Sequence, residues 1–302
     1  MKIGYPCINR TLGCTGDRTF RLKSYSEERL VAAVANNLDC LMTMLRFNAD
    51  HNMLFFRITS DLVPFASHPV NRFDWKGRFG AEFEEAGAFI REHDIRISMH
   101  PDQFTVINSP DPGVSKRSIR ELLYHADVLD SMALDTTARI QIHVGGVYGD
   151  RDQSIRRFES VFRELPVQVK RRLAVENDDR LYGLRDCLSV SRQTGIPVIF
   201  DTLHHGALNS GEDIETAVEA ASRTWTTETG MPMVDYSSQR VEGRRGRHVE
   251  SIDLEDFALF LETTKPYDFD IMLEIKDKEE SALKAVQAAR RDPRFIHTEQ
   301  HS

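Results

Sequence analysis

Short apolar runs alternate along this chain with longer stretches in which apolar residues recur at helical spacing. Eight runs read as strands: Lys2–Tyr5, Leu54–Ile58, Ile95–Met99, Arg139–His143, Leu173–Glu176, Val198–Phe200, Met233–Asp235 and Ile271–Ile275. Between them Leu30, Val34, Leu38, Leu41 and Leu45 form one helical stripe, opened by a capping box of Ser24 and Glu27. Ile119, Leu122, Leu123, Ala126 and Leu129 form another, and similar stripes run through Ile155–Leu165, Leu184–Ser191, Ile214–Trp225, Leu254–Leu261 and Leu283–Ala288. Gly195, just before Pro197, reads as a helix stop. Strand and helix in alternation eight times over roughly 280 residues predict an α/β fold, a parallel (β/α)₈ or TIM barrel. A doubly wound open sheet announces itself with GxGxxG after its first strand, and GYPCINRTLG has no such loop. One barrel domain is expected over 1–292, with 293–302 as a mobile C-terminal tail.

Composition changes this picture little. Of the 302 residues 40% are hydrophobic and 28% charged, which is ordinary for a globular protein. No run approaches the roughly 18 apolar residues of a membrane span, and the N-terminus has no signal-peptide core, so a cytoplasmic protein without a membrane partner is expected. The four cysteines (Cys7, Cys14, Cys40 and Cys187) show no CxxC spacing and are expected as reduced thiols. With 39 basic and 47 acidic residues the formal net charge is −8, which alone argues weakly against nucleic acid. Locally, though, Arg18, Arg21 and Lys23, Lys116 and Arg117, and Arg244, Arg245 and Arg247 are clustered. Divalent ions would also cancel acid where a phosphate must approach.

The chemistry lies at the strand ends. His68 follows the second strand, His100 the third, and His143 and Glu176 end the fourth and fifth. Asp201 and His204 close the sixth, Asp235 ends the seventh, His248 lies beyond it, and Glu274 falls in the eighth. In a TIM barrel all nine open onto one face. A lone strand-end histidine is more often a hydrogen-bonded structural residue, as expected for His93, His125 and His205, and strand-end acids often cap the next helix. Nine such groups exceed what one ion needs, and imidazole with carboxylate suits zinc, manganese or magnesium. Two or three divalent ions would polarise a phosphate, activate water and stabilise a leaving oxygen. Loops on the same face carry Tyr5, Asn9, Gln103, Phe104 and Asn108, groups able to stack on bases and hold phosphates.

The stretches GYPCINRTLG, RTFRLKSYSEERL, SMHPDQFTVINSP, AVENDD, FDTLHH, VDYSSQ and MLEIKDKE resemble the UV damage endonuclease family in order along the chain. That family is similar in structure to the endonuclease IV class. The resemblance implies a metal-dependent endodeoxyribonuclease that nicks damaged double-stranded DNA immediately 5′ to cyclobutane pyrimidine dimers and 6-4 photoproducts, and abasic sites too. The products would be a 3′-hydroxyl and a 5′-phosphate, with manganese the usual metal. It carries over as ligands His68, His100, His143, Glu176, Asp201, His204, Asp235, His248 and Glu274, with Glu176, Asp201, His248 and Glu274 central to catalysis. Gln103 and Phe104 match a pair pushed into the duplex, and Tyr5 and Asn9 match positions lining the pocket for extruded bases. Arg244, Arg245 and Arg247 are expected on the flanking backbone.

The pattern departs from the family in two places. Some members have Lys-x-His where this chain has Met233-Val-Asp235, so Met233 cannot carry a carboxylated lysine. Phe104 stands where a tyrosine also occurs. Two rivals remain on the residues alone: an abasic-site endonuclease, and a sugar isomerase or epimerase, whose barrels need fewer metals and no exposed Gln103-Phe104. A monomer without protein partners is expected.

Overall fold

The computed structural model describes residues 1–238 and 246–297. Its strands are β1 Ile3–Cys7, β2 Phe55–Ile58, β3 Arg96–Met99, β4 Arg139–His143, β5 Leu173–Glu176, β6 Val198–Asp201, β7 Met233–Tyr236 and β8 Asp270–Leu273. All pair in parallel and in chain order, and β8 returns to β1 with Ile3 opposite Ile271, closing a TIM barrel. The predicted strands stand, with ends shifted by one or two residues. Parallel strands covered on both faces explain the near-continuous apolar runs that marked them.

Around the barrel run α1 Glu27–Asp50, α2 Trp75–Arg78, α3 Gly80–Glu92, α4 Pro112–Ser131, α5 Arg151–Glu164 and α6 Val167–Lys170. They are followed by α7 Leu184–Thr194, α8 Thr202–Ala207, α9 Ile214–Ser222, α10 Leu254–Thr263 and α11 Glu279–Ala289. Helix α1 buries Leu30, Val34, Leu38, Leu41 and Leu45, the predicted stripe. It is long and apolar enough to cross a membrane, but this buried stripe belongs to the protein core. Its cap is Ser26, whose side chain accepts from Arg29 N, and not the expected Ser24, which closes a 3₁₀ turn at Leu22–Ser24. Gly195 ends α7 at φ 75°, a left-handed position that costs glycine little.

Aspartates at 74, 111, 150, 201, 213 and 253 cap helices through their side chains. Apart from Asp201, these acids are local helix chemistry with no bearing on DNA.

Two further expectations fail. Cys14 and Cys40 form a disulfide, leaving Cys7 and Cys187 free. The loop after β1 folds back onto α1, a meeting 26 residues apart in sequence that local spacing does not encode. The tail is also not loose from 293. Arg294 donates to the carbonyls of Leu261, Thr264 and Tyr267, Phe295 is buried, and Ile296 N donates to Met1 O. Residues 298–302 lie outside those described.

Candidate active site

Alternate residues of a strand point into the barrel, so those two and four apart stack along its axis. The inner positions of β3 run Arg96, Ser98 and, just past the strand, His100. Those of β4 are Arg139, Gln141 and His143, and those of β8 are Asp270, Met272 and, one beyond, Glu274. A middle layer of Phe55, Ala174, Ile199, Met233 and Met272 packs as an apolar plug. Every polar group above it stands on a dry floor, which strengthens electrostatic interactions there.

At the mouth Glu176 is the hub. Its Oε2 lies 3.3 Å from His100 Nε2 and 3.6 Å from His143 Nε2, and its Oε1 is 3.0 Å from His204 Nδ1. Gln141 Nε2 donates to Glu176 Oε2 at 2.5 Å and to Asp235 Oδ2 at 2.5 Å. Burial opposes ionisation of Glu176, yet the imidazoles of His143, His100 and His204 outweigh it and hold the carboxyl well below its ordinary range. His204 is the converse: against burial, Asp201 and Glu176 raise it to about 11. Burial pushes Asp235 up to about 7 even with Arg57 beside it, whereas Arg57 overcomes burial at Glu274 and holds it at about 2.

Asp201 has two functions. Its Oδ1 caps α8 by accepting from His204 N at 2.7 Å, while Oδ2 is buried without a hydrogen-bond partner. Asn177 fixes this carboxylate's backbone, accepting from Asp201 N at 2.9 Å and donating to Asp201 O at 3.0 Å. The capping explanation for a strand-end acid is thus correct and incomplete.

Two triads bring their donor atoms within 4.8 Å of one another: His100, His143 and Glu176, and Glu176, Asp201 and His204. His100 Nδ1–H donates to Pro101 O at 2.8 Å and His204 Nδ1–H to Asn177 O at 3.0 Å. A carbonyl only accepts, so in His100 the proton stays on Nδ1 and Nε2, which faces Glu176, is left as the lone pair of a metal-ligating imidazole, whereas His204 turns its Nδ1 to Glu176 and Asp201. Orphaned atoms at Asp201 Oδ2, Asp235 Oδ1 and His143 Nδ1 leave buried polar capacity unused. On this donor set divalent ions fit.

Other expected ligands are placed differently. Glu274 accepts from Arg57, and His248 Nε2 lies 3.6 Å from Glu274 Oε2 on the same cavity wall. Asp235 is fully buried and paired with Arg57 Nη2 at 2.8 Å, outside both triads. His68 is exposed on the loop after β2, where its Nδ1 accepts from Val70 N, and it joins neither triad. His93, His125 and His205 bond to backbone carbonyls, as structural histidines do.

A cavity of about 370 Å³ holds Glu176, Glu274, His100, His143, His204 and His248 in its walls. It shares His100, His143 and His204 with a second cavity of about 470 Å³, which meets a third of about 790 Å³ at Asp102, Gln103, Thr105 and Val106. The 101–106 loop thus stands between adjoining cavities, and its Phe104 is 74% exposed. Tyr5 and Asn9 are buried: Asn9 Nδ2 donates to Tyr5 Oη at 3.0 Å and Tyr5 Oη to Asn48 Oδ1 at 2.8 Å. They order the turn after β1 and present no open pocket surface. Arg247 is exposed; Arg244 and Arg245 lie outside the described residues.

Sequence reading missed Arg57 and Gln141. Both hide in apolar runs, FFRI and RIQIH, and the signal was period-2 alternation into the barrel.

Eight parallel strands with a histidine–carboxylate cluster at their C-terminal mouth define a TIM-barrel enzyme. Residues 1–293 match the UV-endonuclease UvdE family, and the chain belongs to it. It is accordingly a DNA-repair endonuclease acting on UV damage. The UV DNA damage endonuclease of Clostridium perfringens (strain 13 / Type A) is 38% identical over 290 residues, covering 95% of this chain and 70% of that protein. That of Bacillus thuringiensis subsp. konkukian (strain 97-27) is 34% identical over 297 residues, 95% of this chain and 94% of its own. The crystal structure of SacUVDE superposes with a TM-score of 0.92 at 46% identity, covering 96% of this chain and 98% of that one. Endonuclease IV from Thermus thermophilus has a TM-score of 0.59 at 14% identity, covering 83% of this chain and 93% of its own, and shares the fold alone.

Proposed function

We propose that the protein hydrolyses the phosphodiester immediately 5′ to cyclobutane pyrimidine dimers and 6-4 photoproducts in double-stranded DNA, and to abasic sites as further substrates. The observation that carries this reading is the Glu176 carboxylate, which joins two three-ligand groups in one cavity. Two or three divalent ions, manganese first and zinc or magnesium as alternatives, would polarise the phosphate and activate water. His100, His143 and Glu176 would hold one, and Glu176, Asp201 and His204 another, with Glu274 and His248 flanking them.

The chain's own groups do the rest. Gln141 and Asn177 fix the carboxylates, the apolar plug excludes water from beneath, and the carbonyl bond of His100 sets its tautomer. Phe104 enters the gap where damaged bases leave the stack, with Gln103 beside it, because an aromatic ring replaces lost stacking. Arg247 meets the flanking backbone, with Arg244 and Arg245. The products are a 3′-hydroxyl and a 5′-phosphate, and one chain suffices.

Duplexes carrying one site-specific dimer, one abasic site or no lesion test this reading. Wild-type protein is expected to nick the first immediately 5′ to the dimer, and Glu176→Gln to lose at least about 10³-fold in rate while staying folded. Cleavage of the abasic duplex alone makes it an abasic-site enzyme, and an active Glu176→Gln removes the cluster from the mechanism.

A further inference from the structure

On the phosphodiester reading above, we propose that Lys278 is a further catalytic residue, its ammonium binding a non-bridging oxygen of the phosphate being cleaved. Lys278 lies just past β8, four residues beyond Glu274, in the wall of the 370 Å³ cavity that holds the cluster.

Its backbone is the first sign. Lys278 sits at φ 53°, ψ −114°, where residues with a side chain are rarely found. Cys7, in the wall of the same cavity, also has positive φ at 72°. Such conformations persist only where surrounding structure over-determines them, and they gather at functional sites. Here the neighbours are held firmly: Lys278 N donates to Ile275 O, and the next residue, Glu279, is fully buried and accepts from Arg10 N.

The second sign is its lack of a partner. The other cations of this wall are engaged. Arg57 is bound to Asp235 and Glu274, and Lys276 Nζ lies 2.5 Å from Glu250 Oε1; outside the wall, Arg10 Nη1 donates to Lys276 O at 2.9 Å. Lys278 Nζ makes no hydrogen bond or ion pair among the described residues. A cation held part-buried in a mouth rich in carboxylates, yet committed to none of them, is poised for an anion that arrives from outside. The anion this enzyme class brings there is a DNA phosphate.

In the reaction the water oxygen forms a new bond to phosphorus as the bond from phosphorus to O3′ breaks. The electron pair leaves with O3′, and the proton that the attacking water gives up ends, net, on O3′ as the 3′-hydroxyl. Negative charge grows on the non-bridging oxygens, and an ammonium there stabilises it while keeping its own proton. Removing one such donor typically costs about 10²–10³ in kcat.

The experiment uses the full chain and a duplex with one site-specific dimer, comparing Lys278→Met and Lys278→Arg with wild type. Lys278→Met is expected to lower kcat about 10²–10³-fold with KM changed far less, bound metal and Tm as in wild type, and part of the rate restored in Lys278→Arg. Replacing one non-bridging oxygen by sulfur, each stereoisomer in turn, should slow wild type more than Lys278→Met for one of the two. Lys278→Met turning over like wild type overturns the proposal, as does a rate loss matched by lost metal or lowered Tm. Wild-type protein inert on every damaged duplex overturns the phosphodiester reading itself, and this role with it.

Discussion

The two ends of the barrel are built from the same strands and behave oppositely. At the bottom Arg96 pairs with Asp270 at 3.0 Å, and Arg139 donates to the carbonyls of Thr136 and Arg171. Both guanidiniums lie 5.8 Å from the ring of Trp225. Four residues further along each strand stand His100, His143 and Glu274. There the carboxylates of Glu176, Asp201, Asp235 and Glu274 face, among the described residues, a single buried guanidinium, Arg57. The bottom ties its guanidiniums to a carboxylate, to carbonyls and to a ring. The mouth leaves negative charge and lone pairs over, and what the fold leaves over is what a ligand can use.

The largest expected effect tests that contrast directly. In metal-free protein Arg57→Met leaves the Glu274 carboxylate without its buried cation, and Asp270→Asn strands the guanidinium of Arg96. Each is expected to cost about 3–5 kcal/mol in chemical denaturation, the scale for breaking a buried pair. The difference lies in rescue. Divalent metal should restore much of the stability of Arg57→Met and none of that of Asp270→Asn, which keeps wild-type kcat. Equal rescue of both would erase the distinction between the two ends.

How much of this was legible follows from the range of each interaction. Period-2 alternation and strand-end position are local, so the barrel and most of the cluster could be read from the chain. Arg57 meets Glu274 across 217 residues of sequence, and nothing near FFRI announces that partner. Asp235 was legible as a strand-end acid, but its engagement by Arg57 was not, for the same reason. His68 is a different case: it is exposed on the loop after β2, and composition at a strand outlet does not encode loop direction. The Cys14–Cys40 bridge was hidden likewise in a loop that folds back.

The next effect sharpens the contrast through aromatic rings. Trp225 at the bottom is tied down, its Nε1 donating to Val198 O at 2.7 Å, whereas Phe104 at the mouth is 74% exposed. An exposed ring on a solvated loop contributes little to folding. Phe104→Ala should therefore leave Tm unchanged and weaken binding of a dimer-bearing duplex by about 1–3 kcal/mol, the worth of stacking one base. Phe104→Tyr should bind as wild type, because it keeps the stacking surface. Unchanged affinity in Phe104→Ala would remove the ring from lesion recognition.

The last effect, the smallest per step of what is varied, reads the surplus charge as a proton. His204, held between Asp201 and Glu176, is raised to about 11 in the folded protein against 6.5 for a free histidine. The folded state therefore binds one more proton than the unfolded chain between those values. Its contribution is fully present below pH 6.5 and is lost as pH rises toward 11, at up to about 1.4 kcal/mol per pH unit. Denaturant midpoints of metal-free protein from pH 6.5 to 9 should fall with this slope added, and His204→Gln should lack it. A bound divalent ion takes the proton's place, so the slope should flatten in loaded protein and metal binding should release protons on mixing. Parallel profiles for wild type and His204→Gln would mean that the mouth's charge is balanced within the fold.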